Sequence, residues 1–218
     1  MNDIIFLPLD IPPIPDKQSL INAFQTEHKY VWWDEQILVG NKDYTTPFGY
    51  PEPWNPCAEQ YKTLIDHINT YLPFEYLSYM RLAHANKRIG VHVDDSEVHP
   101  PFPHHKAITP ELKQHHLDNE PIGYRIILSG SRNTFYFCKQ YDPSYTTEIE
   151  QELTYVTIPN DTDFFLIRNY QQPHGVDINE LDKTRIVGFL LGKVNTTAHN
   201  DLINRSVKKY EQYLLREL

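Results

Sequence analysis

Seven short segments between residues 75 and 191 have the composition and spacing of β-strands. They are rich in β-branched and aromatic residues, and turn sequences such as SGSRN, PNDTD and INELDK separate them. Helices are indicated only before and after this run, so the pattern is not a βαβ alternation. We therefore expect an antiparallel β-sandwich flanked by helices. The predicted strands are 75–83, 89–93, 123–129, 134–138, 152–158, 163–168 and 185–191.

Three segments have helical periodicity. Residues 16–26 and 57–71 precede the strands, and residues 206–218 follow them. No repeat, low-complexity tract or long linker marks a boundary, so we expect one domain over residues 1–218. Its expected parts are a helical flank at about 1–72, a β core at about 74–192 and a C-terminal helix at about 206–218.

The composition limits the classes of function. Hydrophobic residues make up 40% of the 218 residues, which is enough for a packed core, and the formal net charge of -9 argues against a dedicated nucleic-acid binder. The two cysteines, Cys57 and Cys138, suit a reducing compartment, although one disulfide stays possible. The N-terminal apolar patch is broken by prolines and is a poor signal peptide. No apolar run has the length of a membrane span. We expect a soluble cytoplasmic protein; its oligomeric state is left open.

Three His-x-Asp triplets occur, at His92, His116 and His199. On a strand, residues i and i+2 share a face, so such a triplet at a strand end can place two metal ligands together. Only His92 and Asp94 follow a strand-like segment. Asp95 would point to the opposite face, and it stays the alternative carboxylate. A second histidine from a distant strand would complete the two-His, one-carboxylate set that binds Fe(II) with open positions.

His174 and Arg185 are the candidates that complete such a site. His174 follows the strand-like segment DFFLIRNYQQ, although a histidine there could equally be a turn or core residue. Arg185 opens an apolar strand and shares a face with Val187 and Phe189. A guanidinium on a core face is costly unless it meets an anion. Arg185 could lie at the solvent-exposed end of the strand, pair with a structural carboxylate such as Asp177, or bind a ligand carboxylate.

The segment 98–121 is rich in proline and histidine and unusually long for a connection inside a compact domain. Such connections are usually functional. Its histidines do not have the spacing of a structural zinc site. We expect a solvated lid that can touch the substrate on closing.

With these residues, the chain resembles the Fe(II)/2-oxoglutarate-dependent dioxygenase superfamily, in the branch of aspartyl/asparaginyl β-hydroxylase-like and proline hydroxylase-like proteins. The resembling segments are RLAHANKRIGVHVDDS (81–96), GYRIILSGSRNTFYF (123–137) and DTDFFLIRNYQQPHGVDINELDKTRIVGFLLG (161–192). The resemblance implies a double-stranded β-helix, the jelly-roll of cupin-like proteins.

The resemblance also implies roles for particular residues. His92, Asp94 and His174 would be the iron ligands, and Arg185 would bind the C5 carboxylate of 2-oxoglutarate. Arg125 and Tyr79 are further candidates for the cosubstrate pocket, with Arg81 beside Tyr79.

The implied reaction consumes 2-oxoglutarate and O2, releases succinate and CO2, and hydroxylates a small molecule or peptide, by resemblance at an amino-acid side chain. The alternative is a cupin-like jelly-roll protein that binds a metal or a small molecule without oxygenase activity. The substrate itself cannot be read from the sequence.

Overall fold

The computed structural model describes residues 3–27, 36–38, 61–84, 88–92, 123–139, 152–168, 172–177 and 185–218. Within these ranges only the backbone is described at 26–27, 36–38, 76–81, 83–84, 92 and 191–193. Asp94, Asp95 and the Pro- and His-rich segment 98–121 lie outside the described residues, as do Cys57 and the triplet at His116.

The described strands form two antiparallel sheets. The seven-stranded sheet has the order β11-β1-β8-β5-β10-β3-β2, and the four-stranded sheet has the order β4-β9-β6-β7. The mainly β architecture expected from the sequence is therefore confirmed. The strands are β1 (Ile4–Pro8), β2 (Gln36–Leu38), β3 (Phe74–His84), β4 (Ile89–His92), β5 (Gly123–Ser129), β6 (Phe135–Cys138), β7 (Leu153–Tyr155), β8 (Phe164–Ile167), β9 (His174–Val176), β10 (Ile186–Val194) and β11 (Leu215–Arg216).

The eight strands from β3 to β10 pair in a nested order. β6 pairs with β7, β5 with β8, β4 with β9 and β3 with β10. The chain thus runs out through four strands and returns antiparallel along the same four. Two of these pairs lie in each sheet.

Alternation along the strands produces two separate cores. On β5 and β8 the even-numbered side chains join a cluster with the helices, and the odd-numbered Ile127, Phe165 and Ile167 join a second cluster with Phe137 of the four-stranded sheet. The second cluster fills the space between the sheets, where the rings of Phe6 and Phe137 lie 6.4 Å apart. Each fully buried apolar side chain of this kind contributes about 1.5–3 kcal/mol to the free energy of folding, relative to an exposed one.

Three helices cover the outer face of the seven-stranded sheet: α1 (Lys17–Glu27), α2 (Lys62–Tyr71) and α3 (Thr196–Tyr210). The first two agree with their predicted positions, and the apolar stripe of α2 is buried at Leu64 and Ile68. Residues 57–60 of the predicted second helix lie outside the described part.

The bounds predicted for the C-terminal helix, 206–218, are wrong at both ends. Helix α3 begins ten residues earlier because the Asn195 side chain accepts a hydrogen bond from the Ala198 backbone N–H, 2.9 Å away, and so caps the first turn. It ends at Tyr210, and Leu215–Arg216 instead form β11 by pairing with β1. A tertiary contact thus overrides the helical period of the sequence.

The helical flank predicted at 1–72 is only partly helical. The N-terminal apolar patch is β1, which is buried at all five positions and lies between β11 and β8. β2 pairs with β3 and adds a further strand from this region. None of the helices in the described ranges is long and apolar enough to cross a membrane. Cys138 is a buried free thiol.

A buried carboxylate joins three parts of the fold. Asp163, at 0% exposure, precedes β8 and accepts hydrogen bonds from the Lys17 Nζ at 2.6 Å, from the Ile14 backbone N–H at 2.9 Å and from Arg132. Arg132 also donates to the backbone carbonyls of Pro159 and Thr162. Asp163 therefore ties the start of α1 and the β5–β6 turn to β8.

Asp163→Ala should lower the free energy of unfolding by about 3–5 kcal/mol, because it leaves two partly buried cations and a buried backbone N–H without their carboxylate. Urea unfolding measures this. The matched control is Asp66→Ala, whose ion pair with Lys62 lies on the surface of α2 and should contribute about 0.3–0.5 kcal/mol. Equal effects of the two substitutions would contradict the assignment.

A tyrosine–histidine pair joins β5 to α3. The Tyr124 hydroxyl and the His199 Nδ1 are 2.6 Å apart. Burial raises the pKa of Tyr124 and lowers the pKa of His199. The hydroxyl therefore keeps its proton and donates to a neutral imidazole.

This pair should make stability depend on pH. Because the pKa of His199 is lower in the folded chain than its ordinary value of 6.5, the unfolded chain binds more protons below pH 6.5, and stability is lost as the pH falls through that value. Urea unfolding at pH 7.5 and 5.5 should show a smaller pH-dependent loss for His199→Gln than for the unmodified chain. An identical loss in both would contradict this role of His199.

Candidate metal and carboxylate site

His92 and His174 lie opposite each other on neighbouring strands. In the β4–β9 pair, Ile89 is opposite Val176 and His92 is opposite His174, with a register shift between the two positions. Residues directly opposite in an antiparallel pair share a face and have Cβ atoms about 4.5–5.5 Å apart. The backbone therefore brings together two of the three predicted metal ligands.

His174 lies within a strand of its own, β9, rather than in the turn after a strand that the sequence suggested. It is 5% exposed, and its ring lies 6.2 Å from that of Phe137, the residue opposite it on β6. His174 thus faces the space between the two sheets.

The orientation of His174 suits a metal ligand. Its Nδ1 lies 3.0 Å from the Gln172 carbonyl oxygen. A carbonyl only accepts hydrogen bonds, so Nδ1 carries the proton and Nε2 of the neutral ring keeps a lone pair. A backbone carbonyl bound to one ring nitrogen is a common support for metal binding at the other.

The carboxylate of the predicted triad lies outside the described residues. Asp94 follows β4 by two positions, and for His92 only the backbone is described. Among the described side chains no group of three His, Cys, Asp or Glu could hold a metal ion. The backbone positions of His92 and His174 and the tautomer of His174 are compatible with two metal ligands, and the third ligand stays a prediction.

Arg185 is buried on the opposite wall of the same space. It directly precedes β10 and is 1% exposed, which excludes the alternative that it lies in solvent at the strand end. Its guanidinium lies 4.4 Å from the ring centroid of Phe135, which is opposite Val176 on the four-stranded sheet. The guanidinium therefore packs against the face of the four-stranded sheet that carries His174.

Asp177, the carboxylate suggested as a structural partner of Arg185, binds two other residues. Its carboxylate accepts hydrogen bonds from Arg88, at 2.9 Å, and from the hydroxyl of Tyr155. These three residues link β4, β9 and β7 along the four-stranded sheet.

Gly130 makes room for the Arg185 side chain. Its φ of 103° is in the left-handed region, and a Cβ added there would lie 2.7 Å from both the Cβ and the Cγ of Arg185. The turn sequence SGSRN signalled a glycine-dependent turn but not its contact with Arg185.

Gly130→Ala should lower the free energy of unfolding by about 1–3 kcal/mol through backbone strain alone, and it should displace Arg185. Urea unfolding of Gly130→Ala and of its control Asn133→Ala, an exposed position of the same turn, tests this. Similar stability of the two variants would show that the turn adapts to a side chain.

Among the other cosubstrate candidates, Arg125 and Arg81 lie in one row of the seven-stranded sheet, on either side of Phe189, and Tyr79 lies in the next row. Arg125 is 7% exposed and lies opposite Phe189, with its guanidinium 4.6 Å from that ring centroid. The backbone of Arg81 is opposite Phe189 on the other side, and that of Tyr79 is opposite Leu191.

The row of Arg125 is separated from Arg185. Ile127 and Val187 occupy the row between them. Four residues of strand, about 13 Å, separate Arg185 from Phe189. The role of Arg125 in the cosubstrate pocket therefore stays a prediction.

Comparison with known proteins does not assign the chain to a family. No protein-family model matches the chain, and no curated protein matches it.

Proposed function

We propose that this chain is an Fe(II)- and 2-oxoglutarate-dependent oxygenase that hydroxylates an amino-acid side chain, free or in a peptide. The observation that carries the proposal is the position of His92 opposite His174, with Arg185 buried on the facing sheet. A metal-binding pair next to a buried cation is the arrangement needed to hold a metal and a carboxylate cosubstrate together.

We propose that the core is a double-stranded β-helix. The support is the nested pairing of β3 with β10, β4 with β9, β5 with β8 and β6 with β7. A two-stranded ribbon paired in this way, with alternate pairs in opposite sheets, winds into a sandwich of eight strands.

In this proposal His92, Asp94 and His174 hold the metal. Two imidazoles and one carboxylate on one face leave the remaining positions open to cosubstrate and oxygen. The hydrogen bond from the His174 Nδ1 to Gln172 makes Nε2 the ring nitrogen that carries the lone pair.

Arg185 would bind the far carboxylate of 2-oxoglutarate. Phe135, beneath the guanidinium, and Phe137, opposite His174, are two residues apart on β6. That separation is about 6.8 Å along a strand, which is comparable to the length of a five-carbon dicarboxylate. A cosubstrate extended along this face could therefore reach from the metal to Arg185.

When bound, iron with 2-oxoglutarate supplies the activation of O2 and the oxidative decarboxylation. The residues of the chain have other tasks. Arg185 orients the cosubstrate and compensates its charge, and the aromatic rings of Phe135 and Phe137 exclude water from the space between the sheets.

The site predicts that Fe(II) and 2-oxoglutarate together give a weak visible charge-transfer band under anaerobic conditions. His174→Ala should abolish the band. Arg185→Gln should raise the 2-oxoglutarate concentration needed for half-saturation about 10- to 100-fold, because a hydrogen bond to a charged group contributes about 1.5–3 kcal/mol.

The controls are His199→Gln and Arg205→Gln, which alter a histidine and an arginine of α3 away from the inter-sheet space. Both should titrate like the unmodified chain. Metal binding without any effect of 2-oxoglutarate would leave the cupin-like binder as the better assignment. No metal binding at all would refute both.

A further inference from the structure

The position of His92 depends on an irregularity in β4. Ile89 is opposite Val176, so a regular ladder would place Val91, two residues on, opposite His174. The register shift between Ile89 and His92 places His92 there instead. A shift of one residue exchanges the two faces of a strand, and bulges are enriched beside functional sites for this reason. The shift therefore decides which residue is presented opposite His174.

One side chain reaches this irregularity from two strands away. Tyr136, on β6, is opposite Gly175 of β9 and is 0% exposed. Its hydroxyl donates a hydrogen bond to the Ile89 carbonyl oxygen at 3.1 Å. Ile89 is the residue at which the shift begins. The tyrosine thus extends across β9 and is anchored on β4.

The hydroxyl of Tyr136 is a donor at all ordinary pH values. Burial, and next the nearby Asp177 carboxylate, raise the pKa of Tyr136 to about 12. A carbonyl oxygen cannot donate in return, so the direction of the hydrogen bond is fixed.

Gly175 allows this path across β9. A Cβ added at Gly175 would overlap the hydroxyl and the ring of Tyr136. Glycine next to His174 therefore has a spatial reason: the ring occupies the place of a side chain. Gly175 precedes Val176 in the short strand that carries His174.

We propose that Tyr136 is a positioning residue for the metal site, which holds the irregular segment of β4 so that His92 stays opposite His174. This inference rests on the proposed function, because it assigns the hydrogen bond a role in metal binding. Tyr136 acts only through the backbone of β4 and does not touch the metal.

The test uses Co(II) as a spectroscopic probe of the full chain under anaerobic conditions. Tyr136→Phe keeps the ring and removes only the donor. The matched control is Tyr155→Phe, which removes a tyrosine hydroxyl from the neighbouring strand, where it binds Asp177. Hydrogen–deuterium exchange of β4 and of β5 is measured on both variants.

We expect Tyr136→Phe to weaken Co(II) binding about 10- to 100-fold, the usual effect of losing a residue that supports a metal ligand. Exchange should rise in β4 and not in β5, and Tyr155→Phe should bind Co(II) like the unmodified chain. Gly175→Ala, which displaces the same ring from the side of β9, should also weaken Co(II) binding.

Unchanged Co(II) binding in Tyr136→Phe would overturn the inference and leave the proposed metal site standing. Equal increases of exchange in β4 and β5, or failure of Tyr136→Phe to fold, would show that Tyr136 supports the whole sandwich, which also overturns it. If the unmodified chain does not bind Co(II), the proposed site itself fails and the inference fails with it.

Discussion

The packing of the two sheets against each other is the constraint on which the rest of the structure depends. Odd-numbered side chains of β5 and β8 meet Phe137 across this interface, while the even-numbered ones pack on the helices. Both faces of the central strands are therefore buried, and no strand there can slip by one residue without moving apolar groups out of both cores. A fixed register in the seven-stranded sheet is what gives Arg185 a fixed position opposite the four-stranded sheet.

The sequence predicts seven strands of the core because their segments are rich in β-branched and aromatic residues and are bounded by turns. Strand β5 was predicted with its observed bounds. The short β9 and β11 were missed, since three and two residues carry no periodicity. Strand β1 was missed for another reason: all its side chains are buried, so it has no alternation to detect.

Strand context and resemblance selected His92, His174 and Arg185 as candidates, and the structure brings the backbones of the two histidines together. At the register shift that does so, the Tyr136 hydroxyl donates to the Ile89 carbonyl across Gly175, and both residues are distant from β4 in sequence. Arg125 was grouped with Arg185 by resemblance, yet an intervening row of Ile127 and Val187 separates them. Such distances along a sheet follow from strand pairing and cannot be read from composition.

The nested pairing has a consequence for how such a chain can diversify. Strands β4 and β5 belong to different sheets, and each is held by its own partner, β9 or β8. In the sequence, residues 93–122 connect these two strands and begin at the residue after His92. Because the entropy of closing a loop grows slowly with its length, a connection of this kind can be lengthened or replaced at little thermodynamic cost. The paired strands and the part of this connection beyond Asp94 can therefore change independently, so that one exchange of continuous sequence alters what is joined to the histidine-bearing strand while the strand pairings are inherited intact.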